Sequence, residues 1–387
     1  MITLMPSKKL VFLIIILSIV LGSIYFGSEI FWNEEKTKSD STKYFEISDY
    51  FKGENPEFLE KSEDNIFQTR IFLPALASPL TLIMSNNVAY GLINMIFLIL
   101  TSIVVWLLTQ RLFRKKSISD VSAILFVISL PIIAYATRPL TDMISYFFFA
   151  VILYISLVMD YNKTKDYVIL GGILALAFLH KETAFFVLIP FFVFLLADKR
   201  KSWNKKIRDG FLIGITTLVS LIPTIAWQVF SKVSWLAKRG GFFIFNNGFI
   251  WLPFVLLFVM PAITFHIAYI PLIYGLYKLK KTKYKEFLII SIPCIITVLL
   301  GWLFASPPFS PRIIFFMFPV FLPLISYGLH AATKNKNHIY SFVIIYGLIS
   351  LIGALLFPST PVANWSAILP HNLLQTGIDS FLIRWGF

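Results

Sequence analysis

Residues 88–116 read VAYGLINMIFLILTSIVVWLLTQRLFRKK, and they join the two signals that decide the fold. Positions 88–109 carry no charge. As a helix they would extend about 33 Å at 1.5 Å per residue, enough to cross a hydrocarbon layer of about 30 Å. Four cations follow at once in RLFRKK, 111–116. Lys and Arg gathered at the end of a span mark the cytoplasmic side of a membrane, so the stretch reads as one transmembrane helix with its exit loop inside.

The same pairing recurs in both directions. Upstream, Lys8 and Lys9 precede an apolar run from Leu10 to about Gly27. That run is long for the core of a cleaved signal peptide and no small-residue cleavage site follows it, so a first transmembrane helix is the expectation. Downstream, spans are expected near 119–136, 143–159, 168–180, 183–197, 211–230, 251–277, 287–304, 313–329 and 339–357. The total is about eleven. With the N-terminus inside, the alternate loops are RLFRKK, YNKTK (161–165), DKRKSWNKKIR (198–208), KLKKTKYK (278–285) and KNKN (334–337), all basic. The other side receives the long loop 29–70, turns at 137–142, 180–182 and 305–312, the loop 231–250 and the tail from Pro358. Only 231–250 departs from the charge rule, with Lys232, Lys238 and Arg239 outside.

Composition agrees with this threading. The 387 residues are 57% hydrophobic and only 14% charged, a balance foreign to soluble domains. The net charge of +14 would suggest nucleic acid in a soluble protein. Here the cations sit in short loops between spans, which excludes nucleic acid as the expected partner. The single cysteine, Cys294, forbids a disulfide framework within the chain. The five histidines are scattered without metal-ligand spacing, and His266, inside an apolar run, reads as a packed, hydrogen-bonded core residue. The expectation is an all-α integral membrane protein, residues 1–387 forming one polytopic domain. It has short interfacial helices in its first outer loop (29–87) and no soluble C-terminal domain.

That loop is the exception in an apolar chain. SDSTKYFEISDYFKGENPEF, 39–58, is polar and acidic. Read as a helix, it brings Asp40, Tyr44 and Ser48 onto one face, with Ile47 and Phe51 beside them. Asp40 at the start also suits a plain N-terminal cap, and the whole stretch could be a solvated loop. TRIFLPALASPLTLIM, 69–84, is apolar but broken by two prolines, and reads as a helix lying at the interface.

The order of these parts resembles a known family. A first span is followed by an outer loop with D-x-x-x-Y-x-x-x-S (Asp40, Tyr44, Ser48), then KGENP, then R-x-x-x-P from Arg70 to Pro74, then many spans. This resembles the membrane glycosyltransferases of the GT-C fold. They include dolichyl-phosphate-sugar-dependent mannosyltransferases, protein O-mannosyltransferases and bacterial aminoarabinose and lipopolysaccharide-core transferases. Three further stretches are similar to family motifs: TRPLTDMISYFFF (137–149) with its acidic helix head, HKETAFFVLIPFF (180–192) with its lysine, and SPRIIFFMFPVFLPLISYGL (310–329) with its arginine.

The resemblance implies transfer of a sugar from a polyprenyl-phosphate carrier to an acceptor hydroxyl on the outer face of the cell membrane. That reaction needs a carboxylate base near the acceptor and cations near the departing phosphate. It implies Asp40 as the base, with Asp49 as the alternative and Glu46 a weaker third. Asp142 is a second acid, orienting the acceptor or sharing a divalent ion, Mg2+ or Mn2+, with Asp40; Thr141 and Asp142 would equally cap a helix, and Arg138 is the expected ion partner. Lys181 and Arg312 are expected at the carrier phosphate, Arg312 by a bidentate fork. Arg138 and Arg239 join them as donor contacts, and Tyr44, Glu182 and Arg70 as acceptor or loop contacts. Each of these charges also suits simple anchoring at the membrane boundary.

Two other readings compete. A transporter or lipid-linked-sugar translocase would also be many helices with short loops, but it calls for ionisable residues near the midplane. No Asp or Glu occurs from Gly210 to Lys285 or from Phe287 to Ile378. A structural subunit without activity is the third. A convergence of Asp40, Asp142, Lys181 and Arg312 would favour the transferase.

Overall fold

The computed structural model describes residues 5–30, 40–55, 70–136, 141–159, 162–181, 188–197, 201–231, 261–262, 264–279, 281–304 and 311–356. Among the described residues all regular structure is helical. The chain runs through α1 (Lys8–Ile30), α2 (Asp40–Lys52), α3 (Phe72–Thr81), α4 (Asn86–Phe113), α5 (Lys116–Val127), α6 (Leu130–Tyr135), α7 (Asp142–Val158), α8 (Thr164–His180), α9 (Leu188–Ala197), α10 (Trp203–Ser231), α11 (Tyr269–Lys278), α12 (Lys281–Phe304), α13 (Phe318–Ala332) and α14 (Lys336–Leu356).

The distribution of side chains is that of a molecule solvated by lipid. Along α10 the outward residues are Phe211, Ile215, Leu218, Ile222, Ile225 and Val229, a stripe at alternating intervals of four and three. The inward face carries Ile213 with Thr217, Ser220 and Thr224. α1 and α14 repeat this: Phe12, Ile16 and Ile19 lie outside while Ser18 is buried, and Ile344, Leu348 and Ile352 lie outside while Ser350 is buried. A water-soluble helix has the reverse pattern. In lipid the apolar face needs no cover, and small hydroxylated residues let helices approach and bond to one another. Five described helices are long and apolar enough to cross a membrane: Asn86–Phe113, Lys116–Ala134, Trp203–Ser231, Phe315–Ala332 and Lys336–Ala354. The chain is a helical membrane protein.

Span boundaries differ from the expected ones for local reasons. The expected span 119–136 corresponds to Lys116–Ala134 but is broken midway into α5 and α6, because Pro131, the second residue of α6, has no N–H to continue the ladder and Ser129 is extended. The expected span 211–230 begins earlier, at Trp203, so part of the basic loop 198–208 is helical. Asp209, fully buried, explains how: Lys201 Nζ at 2.8 Å and Arg208 Nη2 at 2.6 Å neutralise it from both sides. His266 is the packed core histidine expected, stacked on Tyr346 and 2.8 Å from Ser350 Oγ.

Two close contacts set the bundle. At the crossing of α11 and α13, a Cβ on Gly275 would meet the Leu324 carbonyl and one on Gly328 the Pro271 carbonyl. Ser122 of α5 donates to Ser326 of α13 at 2.9 Å. Phe113, beside the basic loop 111–116, stacks on Tyr327, whose hydroxyl donates to the Lys278 carbonyl. Three basic loops, those after α4, α11 and α13, therefore share one end of the bundle. α2, α3, the start of α4, the start of α7 and the end of α8 meet at the other.

Candidate functional site

The site is built from α2 inward. In DSTKYFEISDYFK, Tyr44, Ile47 and Ser48 follow one another at helical spacing and are buried, while Thr42 and Lys43 on the far side are exposed. The loop helix is thus docked and not a solvated strand of acids. Ser48 Oγ lies 2.7 Å from Tyr90 Oη of α4 and donates to the Pro74 carbonyl of α3 at 3.2 Å. Tyr90 Oη in turn donates to the Tyr44 carbonyl at 2.7 Å. Three helices are locked through two buried hydroxyls and two backbone carbonyls.

Tyr44 carries the network onward. Its hydroxyl accepts from Arg70 Nη1 at 3.1 Å and lies 3.4 Å from Thr141 Oγ1. Because Arg70 can only donate, the phenolic oxygen is the acceptor in that contact. Thr141 stands at the head of α7 and makes no side-chain cap there. This corrects the capping alternative for Thr141: the hydroxyl reaches Tyr44, and it is the Thr141 carbonyl that holds the helix start. That carbonyl accepts from the Ser145 N–H at 3.1 Å, from Ser145 Oγ at 2.9 Å and from His180 Nε2 at 2.7 Å.

The next residue along each of these two segments completes the charged pair. Asp142 opens α7 and Lys181 closes α8, where the backbone turns extended. Lys181 Nζ lies 3.5 Å from Asp142 Oδ1, and both side chains are largely covered. Around them Phe72, Phe148 and the His180 ring pack edge to face or tilted, with centroids 5.5–6.0 Å apart. A lysine and a carboxylate at the lip of an apolar bundle can hold a phosphate and orient a hydroxyl.

The expected site residues divide as follows. Asp142, Lys181, Tyr44 and Arg70 are brought together. Asp142 faces Lys181; the expected partner, Arg138, lies outside the described residues, as do Glu182 and Arg239. Asp40 begins α2 and Arg312 lies in a helical turn, Pro311–Ile314, but their side chains are outside the described set. Asp49 points into a surface cluster instead: Lys52 Nζ holds it at 2.9 Å and Glu54 at 2.6 Å. Those two carboxylates, Glu54 foremost, raise the Lys52 pKa above its ordinary value. Glu46 pairs with Lys43 at 3.2 Å on the exposed face. His180 and Thr141 were not expected here. The signal for them, a histidine directly before the lysine and a threonine directly before the aspartate, needs the pairing of α7 with α8 to be seen.

Residues 72–227 match the family model of the dolichyl-phosphate-mannose-protein mannosyltransferases. The match covers about two-fifths of the chain, from the first residue of α3 to Trp227 in α10. It contains Asp142 and Lys181, and leaves α2 outside. The likeness is to the family model over this segment and not to a particular member. No curated protein matches the chain.

Proposed function

We propose that this chain transfers a sugar from a polyprenyl-phosphate carrier to a lipid, glycan or protein hydroxyl on the outer face of the cell membrane. The observation that carries the reading is the Asp142–Lys181 pair, held at the end of the bundle away from the basic loops and inside the segment matched by the mannosyltransferase family. The fold is read as one polytopic domain of about eleven spans. Its N-terminus is cytoplasmic and its C-terminus outside, the basic loops being inside by the charge rule.

Lys181 meets the phosphate of the carrier as it approaches sideways from the bilayer, and Arg312, Arg138 and Arg239 add cations along the same path. As the bond between the anomeric carbon and the phosphate oxygen breaks, negative charge builds on that oxygen, and a fixed ammonium stabilises it more than the ground state. Asp40 takes the acceptor proton as the hydroxyl oxygen attacks, and Asp142 orients the acceptor. Arg70, Tyr44 and Glu182 shape the acceptor side. A divalent ion shared by Asp40 and Asp142 would supply further charge. Asp142, for its part, already faces an ammonium. The step is therefore routed through Lys181.

The test is transfer of radiolabelled mannose from a short polyprenyl-phosphate mannose to a membrane extract by purified protein. Transfer by the wild type and its loss in Asp142→Asn support the reading. Full transfer by Asp142→Asn refutes the role of the pair, and inactive, well-folded wild type with several sugar donors refutes the transferase.

A further inference from the structure

Lys181 is placed by its neighbour. His180 is 1% exposed, and its Nε2 lies 2.7 Å from the Thr141 carbonyl and 3.2 Å from Ser145 Oγ. A carbonyl accepts and never donates, so Nε2 carries the hydrogen and the tautomer is fixed. Nδ1 is then a bare acceptor, buried and without a partner among the described residues. Leaving such an atom unpaired costs stability that a phenylalanine in the same aromatic nest would not cost. Phe72 of α3 and Phe148 of α7 already contact the ring, so the volume is that of an aromatic residue. What histidine adds is the Nε2–H.

We propose that His180 is a positioning residue: its Nε2–H ties the C-terminus of α8 to the first turn of α7 and so sets Lys181 against Asp142. The inference rests on the transferase reading for its meaning in catalysis, but not for its geometry. The bond joins the two residues that immediately precede the charged pair, Thr141 before Asp142 and His180 before Lys181. Backbone to side chain, it holds whichever way the pair itself is occupied. With the tie, Lys181 is anchored one residue from a fixed point. Without it, the end of α8 loses its hydrogen bond to the backbone of α7, and ring packing resists compression better than sliding.

The experiment compares full-length His180→Phe, His180→Gln and His180→Asn proteins in detergent. Glutamine places an N–H near the Nε2 position, asparagine does not reach it, and phenylalanine keeps the ring. One readout is the rate at which an amine-reactive acetylating reagent modifies Lys181, followed by peptide mass spectrometry. The other is the kcat and KM split with polyprenyl-phosphate mannose. In the folded Phe and Asn proteins Lys181 labels faster and the donor KM rises about tenfold, the scale on which a displaced contact registers. The Gln protein returns both toward wild type. Wild-type labelling and KM in folded His180→Phe overturn the proposal, as does a folded Gln protein that behaves like Phe. Should the Phe protein not fold, equal labelling in Gln and Asn overturns it. A wild type that transfers no sugar refutes the transferase alone, because the labelling series still decides the positioning role.

Discussion

Asp142 and Lys181 stand 39 residues apart in the chain and 3.5 Å apart in space. The contact closes an antiparallel pair of helices, α7 and α8, at the end opposite the loop that joins them. Both side chains are mostly covered, so solvent screens the pair less than an ordinary surface bridge.

Removing either charge is expected to act through the other. Asp142→Asn lowers transfer by about 10²-fold, the scale on which a misplaced acceptor registers. Lys181→Met raises the donor KM, since it removes a phosphate contact. The double variant loses less than the two losses multiplied, because each single change already breaks the pair. Steady-state kinetics on the four proteins checks this; strict additivity would mean that the two residues work independently.

Much of this was legible in the sequence, but unevenly. Length and apolarity announce the long helices, since a run such as 88–109 has no other stable home. The docked face of α2 was also readable, because spacings of three and four place Tyr44, Ile47 and Ser48 together in any helix. The corner joining Thr141 to His180 was not, since it depends on how two consecutive helices pack to bring residues 39 positions apart into register. The break at Ser129 was written in Pro131 but hidden by an unbroken apolar run. That Asp49 is engaged by Lys52 was not legible either, since a shared loop says nothing of which way each carboxylate turns.

Tyr44 is expected to be a structural keystone. Tyr44→Phe removes the hydroxyl that accepts from Arg70 and faces Thr141, leaving buried polar groups short of a partner. The cost is about 1–3 kcal/mol. Thermal melting in detergent should show the loss, together with faster amide exchange across residues 42–52. An unchanged melting temperature would count against the network.

Gly328 tests the membrane packing without touching the site. A Cβ there runs into the Pro271 carbonyl, which is backbone and cannot turn aside. Gly328→Ala should destabilise by about 1–3 kcal/mol, the usual penalty of overpacking. Gly172→Ala is the control: it is also helical but has open space around it, so its melting point should stay level or rise slightly. Equal effects from the two would contradict the close crossing of α11 and α13.

Sidedness can be read with thiol reagents. Lys43 and Trp203 are both exposed, one on α2 and one at the head of α10, and native Cys294 is buried and silent. A membrane-impermeant maleimide on intact cells should label Lys43→Cys and spare Trp203→Cys until the cells are opened. The reverse result would invert the topology and move the site to the cytoplasm.

Helical rotation separates the two candidate bases. Asp40 and Asp49 are nine positions apart on α2, which at 100° per residue puts them about 180° apart around its axis. Tyr44 and Ser48 lie about 40° and 80° from Asp40 in the same sense and face the site. Asp49 lies on the other side, engaged by Lys52 in a cluster that also takes Glu54. Asp40→Asn keeps size but cannot accept a proton, so turnover should fall by about 10²–10⁴-fold. The fold should lose about 1 kcal/mol at most, the range of a helix-start contact. Asp49→Asn should leave turnover within about twofold, since it breaks a partly covered bridge whose lysine keeps Glu54 as a partner. Arg312→Lys, by contrast, keeps the charge and loses the fork, so it should raise the donor KM more than it lowers kcat. Kinetics on equal amounts of folded protein separates these cases. A large loss with Asp49→Asn and none with Asp40→Asn would transfer the base to the far side of α2 and require the helix to turn on binding substrate.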